Sequence, residues 1–296
     1  MIKALDGLRE VTAILGECGI EDSHKEAELI LTRCTEMGKV ALYRDNPLLS
    51  PVQRAEINAI LERRRKREPI QYIIGHVDFF GLEIHVGPGV LVPRPETEIM
   101  AEEVIKSVKH RASGMKAKAV SVKGSEYSSL RILDLCTGSG CLALALAKEF
   151  SKSEVIGADV SGKALEYARR NARINNIQNV TFLNGNLYEP VKGRKFDIIV
   201  SNPPYIRRKD ICTLQPEIKG WEPLEALDGG EDGLLFYREI LSRAPEYLVP
   251  GGSLIMELGQ GEAQDVLTIA EKSGFGRAAL VKDYSGIERI LRLSLL

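Results

Sequence analysis

The sequence predicts an α/β fold: a mostly parallel sheet of seven strands, flanked by helices and preceded by a small helical bundle. Three observations carry that prediction. From Leu130 onward, short apolar strand-like runs alternate with amphipathic helical stretches, as in chained strand–helix units. A glycine turn, Gly138-Ser-Gly140, directly follows the first of those runs and opens a helix. The first seventy residues, by contrast, carry helical periodicity alone.

In the N-terminal part, Leu5, Leu8, Val11, Thr12 and Leu15 recur at helical spacing as far as Gly16 and Gly19. Ser23 with Glu26 three residues on has the pattern of a capping box, and Leu29, Ile30 and Cys34 are expected to share the face of the helix it opens. A third helix is expected after Ser50-Pro51, because proline suits a first helical turn. It carries Ile57, Ile60 and Leu61 and ends in the basic run Arg63–Arg67, for which a solvated helix end is expected. Contact of that run with a protein partner or nearby RNA is the alternative.

These helices form the first expected domain, residues 1–70. Residues 71–93 read as a linking β-hairpin, rich in Tyr72, Ile73, Ile74, Val77, Phe79 and Phe80, with alternation at Leu82, Ile84 and Val86. The second domain is expected to cover 94–296. It opens with a helix after Pro93-Arg94-Pro95, running to about residue 110, with Glu96, Thr97 and Glu98 in its first turn where acids suit the helix dipole. Residues 111–129, rich in Lys, Ser and Gly, read as a mobile surface loop. Strands are expected at 131–136, 155–159, 180–183, 196–200, 253–258, 278–283 and 288–294. Helices are expected at 141–150, 162–175, 234–248 and 262–273. The last two strands, joined through Tyr284-Ser285-Gly286, read as an antiparallel edge hairpin.

Composition removes several function classes. Among 296 residues, 40 Lys and Arg face 41 Asp and Glu, so no global basic field draws nucleic acid. The longest apolar run, Cys141 to Ala147, is far short of the ~20 residues of a membrane helix. Asp6, Arg9 and Glu10 leave no signal-peptide core near the N-terminus. Five cysteines lack any Cys-x-x-Cys pair, and His24, His76, His85 and His110 form no metal-spaced pair. Neither a disulfide framework nor a metal site is expected, and the expected location is the cytoplasm.

Two stretches carry chemistry. The first, Asp134-Leu-Cys-Thr-Gly138-Ser-Gly140-Cys-Leu-Ala143, runs from a strand through a glycine turn into a helix, with Asp159 at the next strand's end, 21 residues beyond Gly138. Backbone N–H groups there suit a nucleotide-like ligand, and a strand-end acid can grip both hydroxyls of a ribose. A ribose-bearing cofactor follows, either a dinucleotide or S-adenosylmethionine.

The second stretch, Asn202-Pro203-Pro204-Tyr205, follows the strand Phe196–Ser201. In an open α/β sheet, ligands sit beyond the carboxyl ends of the strands, so Asn202 is expected in the same crevice as Gly138 and Asp159. Residues before proline stay extended, and Pro203 offers a carbonyl without a competing N–H. The result is a rigid cup of an amide side chain, a carbonyl and an aromatic face. It suits a planar –NH2 group, whose hydrogens can meet the Asn202 oxygen and the Pro203 carbonyl. Holding both N–H bonds toward acceptors favours a more pyramidal, nucleophilic nitrogen, by orientation and electrostatics rather than by a strong base. This pattern points to methylation of an amino or amide nitrogen.

Asn202-Pro-Pro-Tyr205 resembles the signature of methyltransferases that act on planar amide or exocyclic amino nitrogens. With Leu91-Val-Pro-Arg-Pro-Glu-Thr-Glu98, the Asp134–Gly140 stretch and Glu222-Pro-Leu-Glu-Ala-Leu-Asp-Gly-Gly-Glu-Asp-Gly-Leu234, nearly the whole chain resembles the release-factor glutamine methyltransferases, the HemK/PrmC family. The resemblance implies a Rossmann-like class I methyltransferase domain with an N-terminal substrate-recognition bundle. It also implies N5-methylation of the glutamine in the Gly-Gly-Gln motif of class 1 peptide chain release factors. S-adenosyl-L-methionine would be the cofactor and S-adenosyl-L-homocysteine the product.

By position, Cys136, Thr137, Gly138, Ser139 and Gly140 would contact the methionine part of that cofactor. Asp159 would hold the ribose, and Asn186 with Leu187 would flank the adenine. Asn202 would touch cofactor and substrate, with Pro203, Pro204 and Tyr205 shaping the glutamine pocket; Asn202, Pro203 and Tyr205 are the catalytic candidates. Arg94, Glu96 and Thr97 would stand beside the substrate. Cys136 replaces a glycine of some relatives, Leu187 a tryptophan, and Asn186 an acid. Alternative activities are glutamine methylation of a ribosomal protein, adenine N6-methylation of nucleic acid on a flipped base, nicotinamide-dependent oxidoreduction, or a non-catalytic adaptor. Direct nucleic-acid binding and membrane association are not expected. Trp221 either lines the substrate entrance or anchors its loop.

Overall fold

The structure, a computed structural model, describes residues 2–116 and 130–295; positions 117–129 of the expected loop lie outside the described residues. Two compact units account for the chain: Met1–Ile74 with Gln215–Trp221, and Gly75–Leu214 with Glu222–Leu296.

The first unit contains α1 (Ala4–Glu17), α2 (Ser23–Thr35), α3 (Lys39–Asp45), α4 (Pro51–Arg65), α5 (Ile70–Ile74) and, from much later in the chain, α9 (Pro216–Lys219). Leu8, Val11, Leu15, Ile30, Leu31, Leu42, Ile57 and Leu61 fill its core, each such side chain contributing roughly 2 kcal/mol when removed from water. Ser50 caps α4 through a full capping box: its hydroxyl accepts from the Gln53 N–H, and the Gln53 side chain accepts from the Ser50 N–H.

The box expected at Ser23 does not form. Asp22 is the N-cap of α2, and the Glu26 carboxylate turns instead to Arg64. The buried stripe of α2 is Ala27, Ile30, Leu31 and Cys34, while Leu29 is 44% exposed, because residue 29 falls off the i, i+3, i+4, i+7 stripe. The strand-like Tyr72-Ile-Ile74 belongs to the single helical turn α5, whose Tyr72 and Ile73 N–H groups donate to the Pro69 carbonyl. Burial of Ile70 and Tyr72 overrides their β propensity.

The basic run is a solvated helix end only in part: Arg63, Arg65 and Lys66 are exposed as expected, whereas Arg64 is buried and Arg67 half-buried. Arg64 is 1% exposed and donates to Glu26, to Glu217 and to the Glu68 carbonyl. Arg67 reaches Glu217 and the carbonyls of Cys18 and Gly19, and Arg63 pairs with Glu68. Arg64 and Arg67 bind segment 215–221 to the bundle through Glu217, pairings 153 and 150 residues distant in sequence that periodicity cannot show. In the same segment the Trp221 indole N–H donates to the Lys66 carbonyl at 3.3 Å, which anchors that loop.

The second unit opens with the hairpin β1 (His76–Phe79) and β2 (Leu82–His85), joined by Phe80-Gly81 with positive φ at both residues. Then come α6 (Pro95–Lys116), β3 (Arg131–Leu135), α7 (Cys141–Glu149), β4 (Glu154–Asp159), α8 (Gly162–Ile174), β5 (Val180–Asn184) and β6 (Phe196–Ser201). The unit ends with α10 (Leu235–Tyr247), β7 (Leu248–Glu257), α11 (Ala263–Glu271), β8 (Phe275–Lys282) and β9 (Glu288–Leu295). Helix α6 continues to Lys116, six residues into the expected loop. Strand β7 begins five residues earlier than expected, ahead of Gly251-Gly252.

The seven strands lie in the order β5-β4-β3-β6-β7-β9-β8. The first five are mutually parallel, and β9 runs antiparallel to both β7 and β8, so the terminal hairpin forms as expected. Chain direction across the sheet switches between β3 and β6, where Leu135 pairs with Ser201. That switch point sets the loops after both strands side by side.

Candidate functional site

Beyond Leu135, Cys136 turns the chain at φ 59°, a left-handed conformation costing roughly 1–2 kcal/mol for a residue with a Cβ. The turn ends at Gly140, φ 79°, where an added Cβ would stand 3.0 Å from both Ala168 and Phe182. Only glycine fits there, and α7 can start immediately. Asn171 of α8, fully buried, braces this turn: its amide donates to the carbonyls of Ser139 and His85, and its oxygen accepts the His85 N–H.

At the neighbouring strand end, the Asp159 carboxylate accepts the Gly138 N–H on one oxygen and the Ser161 N–H on the other, both at 2.8 Å. Two backbone bonds fix the carboxylate's orientation. Burial nevertheless raises its pKa, because these bonds offset only part of the lost hydration. Asp134, two residues before Cys136, is deeper still; it accepts the Thr137 hydroxyl, and burial pushes it up to about 7.

Across the switch point stands Asn202. Its carboxamide nitrogen donates to Thr97 Oγ1 at 3.2 Å, and the Thr97 hydroxyl donates in turn to Glu257 Oε2 at 2.7 Å. Glu257, at the tip of β7, is 1% exposed and pushed up to about 7 by burial. The Tyr205 hydroxyl lies 3.4 Å from its other oxygen. The Asn202 carboxamide oxygen has no partner among the described residues. The chain leaving Tyr205 is clamped by backbone bonds from Ile206 to Leu227 and from Gly229 back to Ile206. A Cβ at Gly229 would meet the Tyr205 backbone at 2.7 Å, so the close approach requires glycine.

These loops enclose one cleft of about 960 Å³, open mouth included. Of the residues expected at the site, Arg94, Thr97, Cys136, Thr137, Gly138, Ser139, Asp159, Asn186, Leu187, Asn202 and Pro204 line it. Gly140, Pro203, Tyr205 and Glu96 are not among its lining residues. Arg94 donates to both oxygens of the buried Glu222, at 2.8 and 2.6 Å, so its charge is largely committed to that partner.

Three residues with evident roles in the site's architecture carry no role in the sequence reading. Asp134 sits inside a quoted motif; Val160, 62% exposed, offers an apolar wall beside Asp159; Glu257 closes an apolar strand. An acid ending an apolar strand was the available signal for Glu257, the same one that marks Asp159. Burial also holds the thiols of Cys136 and Cys141 protonated, that of Cys141 up to about 12, which removes them as nucleophiles. Among the described residues no cluster of His, Cys, Asp or Glu could hold a metal ion, and no helix is long and apolar enough to cross a membrane.

A parallel sheet in this order, with a glycine turn, a strand-end acid and an Asn-Pro-Pro-Tyr tip around one cleft, defines a methyltransferase fold and site. Residues 115–215 match the methyltransferase small domain family, and residues 6–75 match the PrmC N-terminal domain family. The chain is 44% identical over 292 residues to the release factor glutamine methyltransferase of Thermodesulfovibrio yellowstonii, covering 99% of this chain and 98% of that one. It is 41% identical over 291 residues to that of Geobacter sulfurreducens, covering 98% and 94%. This chain belongs to the release factor glutamine methyltransferase family. Among solved structures, a Pyrococcus furiosus methyltransferase aligns at TM-score 0.51 and 23% identity over 73% of this chain and 89% of that one, a likeness of fold.

Proposed function

We propose that this enzyme transfers a methyl group from S-adenosyl-L-methionine to the N5 amide nitrogen of the glutamine in the Gly-Gly-Gln motif of class 1 peptide chain release factors. The observation that carries the reading is the Asn202 carboxamide, tied by its nitrogen to Thr97 with its oxygen left for a ligand, at the rim of a cleft that also holds Asp159. An amide –NH2 needs an acceptor, and a free carboxamide oxygen is one.

The residues present fit the cofactor. Asp134 is a buried and Asp159 a half-buried carboxyl, neither with a cationic partner among the described residues, and a ligand carrying sulfonium and ammonium charges would supply one. The oriented Asp159 oxygens suit vicinal ribose hydroxyls, and Val160, Asn186 and Leu187 offer a partly apolar wall for a purine. When bound, the cofactor supplies an electrophilic methyl group on sulfur.

In this reading Asn202 Oδ1 and the Pro203 carbonyl accept the two hydrogens of the glutamine amide. Pro203 and Pro204 keep Asn202 and Pro203 extended. Holding both N–H bonds aims the nitrogen's electron pair at the methyl carbon. The new N–C bond forms as the S–C bond breaks, S-adenosyl-L-homocysteine leaves, and the amide proton passes to solvent. No strong base is required, because positive charge developing on nitrogen is stabilised by the two fixed oxygens.

The helices of residues 1–70 serve as the substrate-recognition domain, residues 71–93 with the 76–85 hairpin as its link, and 94–296 as the catalytic domain, acting in the cytoplasm where release factors work. Mass spectrometry of a release factor incubated with enzyme and labelled cofactor tests the proposal. It should find a single added methyl on the Gly-Gly-Gln glutamine. Label found only in ribosomal protein or in adenine of nucleic acid would overturn it.

A further inference from the structure

We infer that Glu257 and Thr97 are positioning residues that set which end of the Asn202 carboxamide faces the substrate, and that protonation of Glu257 reverses it. The inference rests on the reading of Asn202 as the group that meets the substrate amide.

The hydrogens available to Thr97 fix the order of the chain. A threonine hydroxyl has one proton to give. Thr97 gives it to Glu257 Oε2 at 2.7 Å, and so can only accept from Asn202, whose nitrogen lies at 3.2 Å. With the nitrogen committed, the carboxamide oxygen is the end left for substrate. Thr97 is itself 3% exposed, so water does not offer an alternative partner readily. The order of the chain is therefore imposed by a carboxylate at its far end.

A protonated Glu257 changes the order. Its O–H would donate to Thr97, the Thr97 proton would turn to Asn202, and the carboxamide would flip to present its nitrogen. A donor would then face the donor hydrogens of the substrate amide, and the site would be silent. The groups around Glu257 hold the ionised form near its balance point. Glu96 on α6 repels it, Arg289 on β9 attracts it, and the Tyr205 hydroxyl donates to it. The neutral Tyr237 of α10 and Cys141 of α7 lie in the same surroundings, and burial opposes the charge. The carboxyl stands at about 7. Activity should accordingly rise with pH through one ionisation near 7.

The experiment compares unaltered enzyme with Glu257→Gln, Thr97→Val and Thr97→Ser on intact release factor, with cofactor affinity measured by calorimetry as the control for folding. Glu257→Gln and Thr97→Val should lower kcat at pH 8 at least tenfold while cofactor Kd stays within threefold. Thr97→Ser should recover most of what Thr97→Val loses. The acidic limb of the kcat–pH profile should vanish in Glu257→Gln. Retention of kcat within threefold in Thr97→Val, or an unchanged acidic limb in Glu257→Gln, would overturn the inference while leaving the proposed function standing. No methyl transfer to release factor by the unaltered enzyme would remove the proposed function, and the inference with it.

Discussion

The Asp159 carboxylate accepts the backbone N–H of Gly138 at 2.8 Å, joining the tips of two adjacent parallel strands through one hydrogen bond. The acid at the second strand end thus orders the glycine turn at the first, and the turn orders the acid. A group locked in this way needs no rearrangement to receive a diol, which lowers the entropic cost of binding. Asp159→Ala should weaken S-adenosylmethionine binding at least tenfold by calorimetry, and kcat at saturating cofactor should change much less. Unaltered affinity would exclude the ribose role.

Asn202 should behave in the opposite way. Its oxygen is assigned to the reacting nitrogen, so Asn202→Ala removes an interaction that matters most in the transition state. Turnover should fall by about a hundredfold or more, in line with loss of one preorganised polar group, with cofactor affinity kept within about threefold. Steady-state kinetics with a release factor substrate separates the two parameters.

Arg64 predicts a stability effect confined to the N-terminal unit. Its guanidinium is buried between Glu26 and Glu217, and Arg64→Ala would leave both carboxylates without it. Removing one member of a buried pair costs about 3 kcal/mol. The sole tryptophan, Trp221, sits in the same unit, so urea unfolding followed by its fluorescence should show the midpoint fall. Binding of S-adenosylmethionine should be nearly unaltered.

Glu257 predicts an unusual pH dependence of stability. Its folded pKa, about 7, stands above the ordinary value of 4.5. The folded state therefore binds the proton more tightly, and the associated stability is complete below about pH 4.5 and lost as pH rises through 7. At pH 8 the buried charge costs about 3 kcal/mol, at ~1.4 kcal/mol per tenfold change in proton affinity. Without cofactor, Glu257→Gln should raise the melting temperature at pH 8 and have little effect at pH 5. Thermal scans at the two values check it. A variant that gains stability as it loses turnover is the signature expected of a charge kept for function.

Much of the molecule was legible from local pattern. Alternating apolar runs and helical stretches gave the strand order of appearance, because short continuous apolar runs and period-3.6 burial leave different marks on a sequence. The glycine turn, Asp159 and Asn202 were readable because each sits at a fixed offset from a strand end, and parallel strands bring such ends together. Propensity misled where packing outweighed it, as at Tyr72–Ile74, and spacing misled at Leu29, which lies just off the buried stripe.

What the sequence by itself determined, then, is the class of sheet, its seven strands and the two motifs at their tips. Tertiary structure decided which residues support those motifs. Thr97 and Glu257 meet across 160 positions, and Arg67 finds Glu217 across 150. Neither contact has a local periodicity to betray it. A buried carboxylate or guanidinium is tolerated only when the fold delivers its partner, and the identity of that partner is a property of the folded chain rather than of any segment.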